Sequence, residues 1–235
     1  MKRMLGYARK ANDDFGLIEP GDTVLVGVSG GKDSLVLLRT LALYRHFAAP
    51  FTLQAATLTM GIEPFDVSGI AALCKELDVP YHVRHTQIGR IVFEERKEKN
   101  PCSLCANMRR GALNDLAVDL GCNKVALGHH RDDAIETLLL SLFYEGRLHT
   151  FLPKTYLSRK NLTLIRPLVY APEHEVIACA RRYALPVVTN PCPANGHTKR
   201  QEVKDLLGEL EQRYPDIRGQ VLRALQNKAQ YGLWD

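Results

Sequence analysis

Several features that would set an early direction are missing from this sequence. No apolar stretch approaches the ~20 residues needed to cross a bilayer, so no membrane partner is expected. The basic opening Met1-Lys2-Arg3-Met4 has no signal-peptide core behind it, which makes the cytoplasm the expected compartment. Internal repeats and low-complexity segments are absent. A strong excess of one charge is absent too. Lys and Arg total 31 against 26 Asp and Glu, a balance that permits nucleic-acid binding without demanding it, so the places where charge clusters decide. At 235 residues the chain suits one large α/β domain or two small ones, and can bury roughly 70% of its unfolded surface without staples.

Six cysteines without an export signal are not expected to form a disulfide framework. Cys74, Cys122 and Cys179 sit among apolar neighbours or at a helix end and read as packing residues. Cys102 and Cys105 form a Cys-x-x-Cys pair, and Cys192 stands alone in the turn Asn190-Pro191-Cys192-Pro193. Those three need another explanation.

The rest of the chain is organised around Val24-Leu25-Val26-Gly27-Val28-Ser29-Gly30-Gly31-Lys32-Asp33-Ser34. Leu25, Val26 and Val28 read as a strand buried on both faces, and Leu35, Leu37, Leu38 and Leu41 recur at helical spacing. Between them, two glycines let the backbone approach an anion, the first helical N–H groups point at it, and Lys32 adds a point charge. A Walker loop would need a glycine four residues ahead of the Gly-Lys pair and Ser or Thr after it; Val26 and Asp33 occupy those places. An acidic residue directly after the lysine suggests a magnesium-assisted site that holds the pyrophosphate end of ATP, with cleavage between the α and β phosphates. The alternative is a turn that uses glycine for geometry alone.

Alternating apolar segments place further strands at 51–58, 81–83, 124–127 and 162–165, and helices at 4–15, 66–77, about 106–120 and 172–183. This is the βαβ alternation of a doubly wound, mainly parallel sheet of about five strands with helices on both faces. Thr57 to Thr59 would then end a strand beside the nucleotide. The basic side of the first helix (Arg3, Arg9, Lys10) reads as solvated or as an RNA contact. Arg109 and Arg110 near a helix start oppose the macrodipole, which points either to a compensating ligand anion or to simple solvation. A charge run at 94–99 reads as an exposed connection, and Arg147, His149, Lys154, Arg159 and Lys160 as a basic loop suited to a phosphate backbone. The tail, 198–230, is helical in pattern with breaks at Tyr214-Pro215 and Gly219.

A second site signal follows the strand at 124–127. Gly128-His129-His130-Arg131-Asp132-Asp133 runs into a helix whose stripe is Ile135, Leu138, Leu139, Leu142 and Phe143. Its polar residues therefore sit at a strand-to-helix corner, where doubly wound sheets bind ligands. One aspartate capping the helix would be ordinary; five polar residues in a row after a glycine are less so.

Three blocks together resemble the tRNA 2-thiocytidine synthetase family, the TtcA group of PP-loop ATP pyrophosphatases: Ser29 to Ser34, Cys102-Ser-Leu-Cys105 with Arg109-Arg110-Gly111, and Gly128 to Asp133 continuing to Phe143-Tyr144. Ile165-Arg166-Pro167-Leu168 and Arg213-Tyr214-Pro215 add to the likeness, which spans about Gly6 to Asn227. The resemblance implies an adenine nucleotide alpha hydrolase-like fold and ATP-dependent replacement of the C2 oxygen of an anticodon-loop cytidine by sulfur, through an adenylated base. It implies a four-iron four-sulfur cluster on Cys102, Cys105 and Cys192, one iron lacking a protein ligand. Ser29, Gly30, Gly31, Lys32, Asp33 and Ser34 would hold the phosphates, with Gly128 and His129 approaching the nucleotide. Asp33 and Asp132 or Asp133 would organise magnesium. Arg109, Arg110, Lys199 and Arg200 are the candidate tRNA contacts. The implied partners are tRNA and a sulfur donor such as a cysteine desulfurase system, with a homodimer possible.

The implied domains are a helical segment at 1–20, the PP-loop domain with its cysteine-pair insertion at 21–190, and a helical tail carrying the third cysteine at 191–235. One departure stands out: members commonly carry a further cysteine where this chain has Asn195. Rival readings are a zinc site on Cys102, Cys105, Cys192 and His197, a lysidine-synthetase-like ligase, and a non-catalytic, metal-stabilised RNA-binding module.

Overall fold

The computed structural model describes residues 1–48, 50–61, 65–96, 101–188 and 199–227. The described residues within Met1–His130 and Leu152–Pro193 form one compact unit, and those within Arg131–Phe151 and Ala194–Asp235 form a second.

The first unit is built on strands β1 (Thr23–Gly27), β2 (Thr52–Thr59), β3 (Tyr81–His85), β4 (Lys124–Ala126), β5 (Lys154–Leu157) and β6 (Leu162–Ile165). Their order is β3-β2-β1-β4-β6-β5. All neighbours are parallel except β5, which pairs antiparallel with β6 at the edge. The central strands are parallel and covered on both faces, which is why Val24, Leu25, Val26, Val125 and Ala126 have no exposed surface. Leu25 packs with Leu113, Leu116 and Ala117 of helix α5 (Pro101–Asp119) on one face. Helix α2 (Lys32–Tyr44) covers the other face, flanked by α1 (Lys2–Phe15) and by α7 (Glu173–Arg182). Helix α3 (Ser68–Glu76) and the short α4 (Ile88–Arg90), continued by a π-helical turn over Ile91–Glu95, complete this unit.

The second unit comprises α6 (Arg131–Glu145), α8 (Lys199–Arg213) and α9 (Ile217–Gln226). Its apolar centre is Ile135, Val203 and Leu207, lined by Leu139, Leu140 and Val221.

The doubly wound sheet is as expected, with six strands where about five were anticipated. The additional strand is β5, inside the stretch read as a basic loop. Three other expectations shift. Helix α5 begins at Pro101, about five residues ahead of its anticipated start, because proline is well suited to the first helical position. Arg109 and Arg110 therefore lie in its third turn, and the macrodipole argument for them falls away. Gly219 lies inside α9 and breaks nothing.

Candidate functional site

The chain leaves β1 toward β2 on one side and returns to β4 on the other, so β1 and β4 are neighbours on either side of a switch in strand order. A crevice at their carboxyl ends is the position where open α/β sheets bind ligands. Two loops meet there: 28–31 after β1, and Gly128-His129-His130 after β4.

The first loop is held open by its own hydrogen bonds. Val28 N–H donates to Ala56 O at 2.7 Å, continuing the sheet, and Thr57 Oγ1 donates to Val28 O at 2.8 Å. Thr57 is buried and accepts from Tyr81 OH at 2.8 Å, so its side chain clamps the loop. Ser29 N–H donates to Ser34 Oγ at 3.1 Å, and Ser34 Oγ donates to Gly31 O at 2.9 Å. The first turn of α2 is thereby tied back to the loop. Gly30 has φ +82°, and a Cβ there would lie 2.8 Å from the Phe65 ring and 3.3 Å from Val188 Cβ. Val188 N–H holds Gly30 O at 3.0 Å. A left-handed, closely covered position of this kind takes glycine.

Gly31 precedes Lys32 as the N-cap of α2, so the helix opens with unsatisfied N–H donors and the positive end of its dipole. Lys32 Nζ lies 3.1 Å from Asp33 and 3.2 Å from Glu173 Oε1. Burial pulls the lysine's pKa down, but the two carboxylates outweigh it and hold the ammonium above the ordinary lysine value. On the facing loop, Gly128 is pressed against the same turn: a Cβ would come 2.9 Å from Asp33 C and Ser34 N. His130 is buried with Nε2 3.7 Å from Asp33 Oδ1, and His129 is half-buried beside it. The arrangement is an anion cradle of backbone donors and one lysine, with a carboxylate placed to accompany a cation.

Helix α5, on the opposite face, has its N-terminal part at this same end of the sheet. Leu113 covers Gly27 at the carboxyl end of β1, where a Cβ would lie 2.7 Å from its Cδ2. Cys102 is eleven residues earlier, about 16 Å further along the helix axis. Cys102 and Cys105 are separated by three residues in one helix, so both thiols share a face. Cys102 is exposed and Cys105 half-buried, and both are free of disulfides. Paired, accessible thiols on one helical face fit a thiolate-bound metal or cluster. Among the described residues no three His, Cys, Asp or Glu side chains converge as a metal site. Cys192, His197 and Asn195 lie outside the described residues. The three remaining cysteines are buried, and burial pushes the thiols of Cys74 and Cys122 up to about 11, as packing residues should be.

Arg109 is half-buried and Arg110 exposed, on the same helix between the cysteines and the sheet. Arg110 lies near Arg166: burial first, and then this like charge, lower the Arg166 guanidinium to about 10. Arg166 also donates to Leu152 O at 2.5 Å. Two members of the basic loop are committed elsewhere, Lys154 to Gly16 O at 2.5 Å and Lys160 to Asp115.

In the second unit, Asp132 and Asp133 stand in the first turn of α6. Asp132 is only 3% exposed and bonds Arg218 Nη1 at 2.9 Å. Arg200 bonds Glu136 at 3.0 Å and Thr137 Oγ1 at 3.2 Å, and lies 3.8 Å from Asp133. Lys199 pairs with Glu202 at 3.1 Å and lies over the Tyr144 ring.

Sequence reasoning missed Glu173 and Arg218 as site-supporting residues. Glu173 carried a signal, as a first-turn acid of α7, but its partner is remote in sequence; nothing local marked Arg218.

Comparison with known proteins agrees with this geometry. The PP-loop domain family matches residues 7–210. The tRNA-cytidine(32) 2-sulfurtransferase of Geobacter metallireducens is 44% identical over 222 residues, covering 93% of this chain and 86% of that protein. The enzyme of the same name from Pseudomonas putida is 38% identical, covering 100% of this chain and 86% of its own. Among solved structures, the U34-tRNA thiolase NcsA from Methanococcus maripaludis with its 4Fe-4S cluster superposes with a TM-score of 0.79 at 25% identity, covering 100% of this chain and 81% of that one. With likeness of this extent, the chain belongs to the PP-loop domain family and, within it, to the tRNA-cytidine(32) 2-sulfurtransferase family.

Proposed function

We propose that the protein is an ATP-dependent tRNA sulfurtransferase that replaces the C2 oxygen of an anticodon-loop cytidine by sulfur. The observation that carries this is the meeting, at the carboxyl end of one sheet, of the lysine-bearing loop and Gly128 packed on its helix, with the cysteine pair on the helix α5 that covers that sheet. The base oxygen attacks the α-phosphorus of ATP, forming the O–P bond as the bond to pyrophosphate breaks. The amides of 29–34 and the Lys32 ammonium take up the charge that develops on the departing pyrophosphate. Asp33 would help to hold magnesium, which when bound would supply positive charge to the phosphates. Sulfur at the hydrosulfide level then adds to C2, and AMP leaves with the original oxygen.

Cys102, Cys105 and Cys192 would hold a four-iron four-sulfur cluster, which when bound supplies an iron free to carry the incoming sulfur. Arg109 and Arg110, between the cysteines and the nucleotide loop, would meet tRNA phosphate, with Lys199 and Arg200 as further contacts. We assign Asp132 and Asp133 a positioning role at the start of α6, in keeping with their arginine partners. The reaction requires a sulfur donor, for which a cysteine desulfurase system in the cytoplasm is suited.

The test is anaerobic purification with iron, sulfide and zinc analysis, followed by assay of AMP formation and 2-thiocytidine in tRNA. About four irons and four sulfides per chain, lost in Cys192→Ala, with ATP converted to AMP only when tRNA is present, is the expected result. Stoichiometric zinc without sulfide would overturn the cluster-dependent mechanism. Binding of tRNA without AMP formation would overturn the enzyme reading.

A further inference from the structure

Helices α2 and α7 lie side by side and run in the same direction. Lys32, at the start of α2, meets Glu173, at the start of α7, at 3.2 Å. Further along, the Arg39 guanidinium lies 4.8 Å from the ring centre of Tyr183, just past the end of α7. Two positive helix ends are therefore adjacent, and the lysine adds a full charge beside them, an arrangement that repels itself unless anions are near. Asp33 and Glu173 are those anions. Asp33 is part of the loop, but Glu173 reaches the site from a separate element. A phosphate taking a hydrogen bond from Lys32 Nζ has to compete with the Glu173 carboxylate already there, and a carboxylate left beside bound phosphate repels it.

We propose that Glu173 is a positioning residue that holds Lys32 between turnovers, so that nucleotide binding at this loop is a counter-ion exchange: phosphate displaces Glu173 from the ammonium, and Glu173 reclaims it as pyrophosphate leaves. Glu173 keeps the lysine extended toward the cradle and opposes retention of the product. The proposal rests on the reading of the loop as the ATP site.

The probe is inorganic pyrophosphate, titrated calorimetrically into the full-length protein and into Glu173→Gln and Glu173→Asp, without and with magnesium, alongside steady-state AMP formation with tRNA. Thermal melting establishes that the variants are folded. Glu173→Gln is expected to bind magnesium-free pyrophosphate about threefold tighter or more, with kcat and KM for ATP falling together as product leaves more slowly. Glu173→Asp keeps the charge and returns both toward the parent. A merely structural role would lower the melting temperature without tightening pyrophosphate binding. Unchanged or weaker magnesium-free binding in Glu173→Gln, with an active parent, overturns the exchange alone; weakening confined to the magnesium titration makes Glu173 a cation ligand instead. A parent that neither binds pyrophosphate nor makes AMP overturns the ATP reading itself, and the exchange with it.

Discussion

The sheet-bearing unit and the unit formed by α6, α8 and α9 each carry part of the site-bearing sequence, but they are held together by different physics. Around β1 and β4 the support is mainly apolar: fully buried aliphatic residues on both sheet faces, with a buried ion pair, Lys124–Asp22 at 2.6 Å, at the start of β4, and hydrogen bonds closing the nucleotide loop from within. Around α6 the apolar centre is small, and Asp132 and Glu136, each 3% exposed, are balanced by Arg218 and Arg200. A loop braced by a close-packed sheet tolerates the arrival of a highly charged ligand because its shape is fixed by sterics. A small unit whose centre holds ion pairs depends on each partner staying in place, since a buried charge deprived of its partner is costly.

Removing Arg218 should break the comparison most sharply. Arg218→Ala removes the Nη1 bond to buried Asp132 at the first turn of α6 and the Nε bond to Glu211, leaving Asp132 the longer Arg131 contact at 3.4 Å, at an expected cost of about 3 kcal/mol. Denaturant melts followed by hydrogen exchange should show the loss in α6, α8 and α9, with the sheet amides still protected. Equal loss of protection in β1 and β4 would show that the two units do not differ in this way.

The counterpart in the sheet-bearing unit is steric. In Gly128→Ala the added methyl meets backbone atoms of Asp33 and Ser34 at 2.9 Å, and backbone cannot swing aside as a flexible side chain can. The two loops must separate, which displaces Lys32 relative to the phosphates. AMP formation is expected to fall about 100-fold, with a stability loss of about 1–2 kcal/mol. A variant that melts normally and keeps its turnover would show that Gly128 does not brace the loop.

How much of this was legible in sequence follows the same division. Ser29 to Ser34 could be read because strand, glycines and lysine are contiguous, and β1 because burial on both faces requires an unbroken apolar run. Strand β5 was hidden: its residues, Lys-Thr-Tyr-Leu, are partly exposed at an edge with Tyr156 turned outward, so neither alternation nor an apolar run marks it. The early start of α5 was signalled by Pro101, but the small and polar residues after it offer no stripe. Glu173 and Arg218 escaped because their partners, Lys32 and Asp132, are 141 and 86 residues away along the chain, and a single sequence states a charge without its partner.

Glu136 adds a pH dependence to the second unit. Burial raises its carboxyl above the ordinary range, and Arg200 partly opposes that. A carboxyl with a raised folded-state pKa favours the fold below its unfolded value and forfeits that contribution as pH rises through the folded value. Arg200→Ala removes the opposing charge and widens that gap. The variant should be about 2 kcal/mol less stable near pH 7, discounted for the partial exposure of the arginine, and close to the parent near pH 4, where Glu136 is protonated in both. Urea melts at the two pH values check this; a deficit independent of pH would assign Arg200 to packing rather than to the charge on Glu136.

The smallest effect probes a buried polar residue of the second strand. Thr57→Val preserves shape but removes the hydroxyl that donates to Val28 O and accepts from Tyr81 OH. Both groups then lose a buried partner, at a cost of about 1–2 kcal/mol. Because Val28 opens the nucleotide loop, the consequence should extend beyond stability: the loop carbonyl is freed to turn, and KM for ATP should rise several-fold while kcat changes less. Thr57→Ser, which restores the hydroxyl on a smaller side chain, should recover most of the KM. If valine shifted stability alone, the loop's shape would be set by its glycines and by Ser29 and Ser34 without help from β2. A rise in KM that serine reverses would show that the second strand, like the first, has a direct part in shaping the anion cradle.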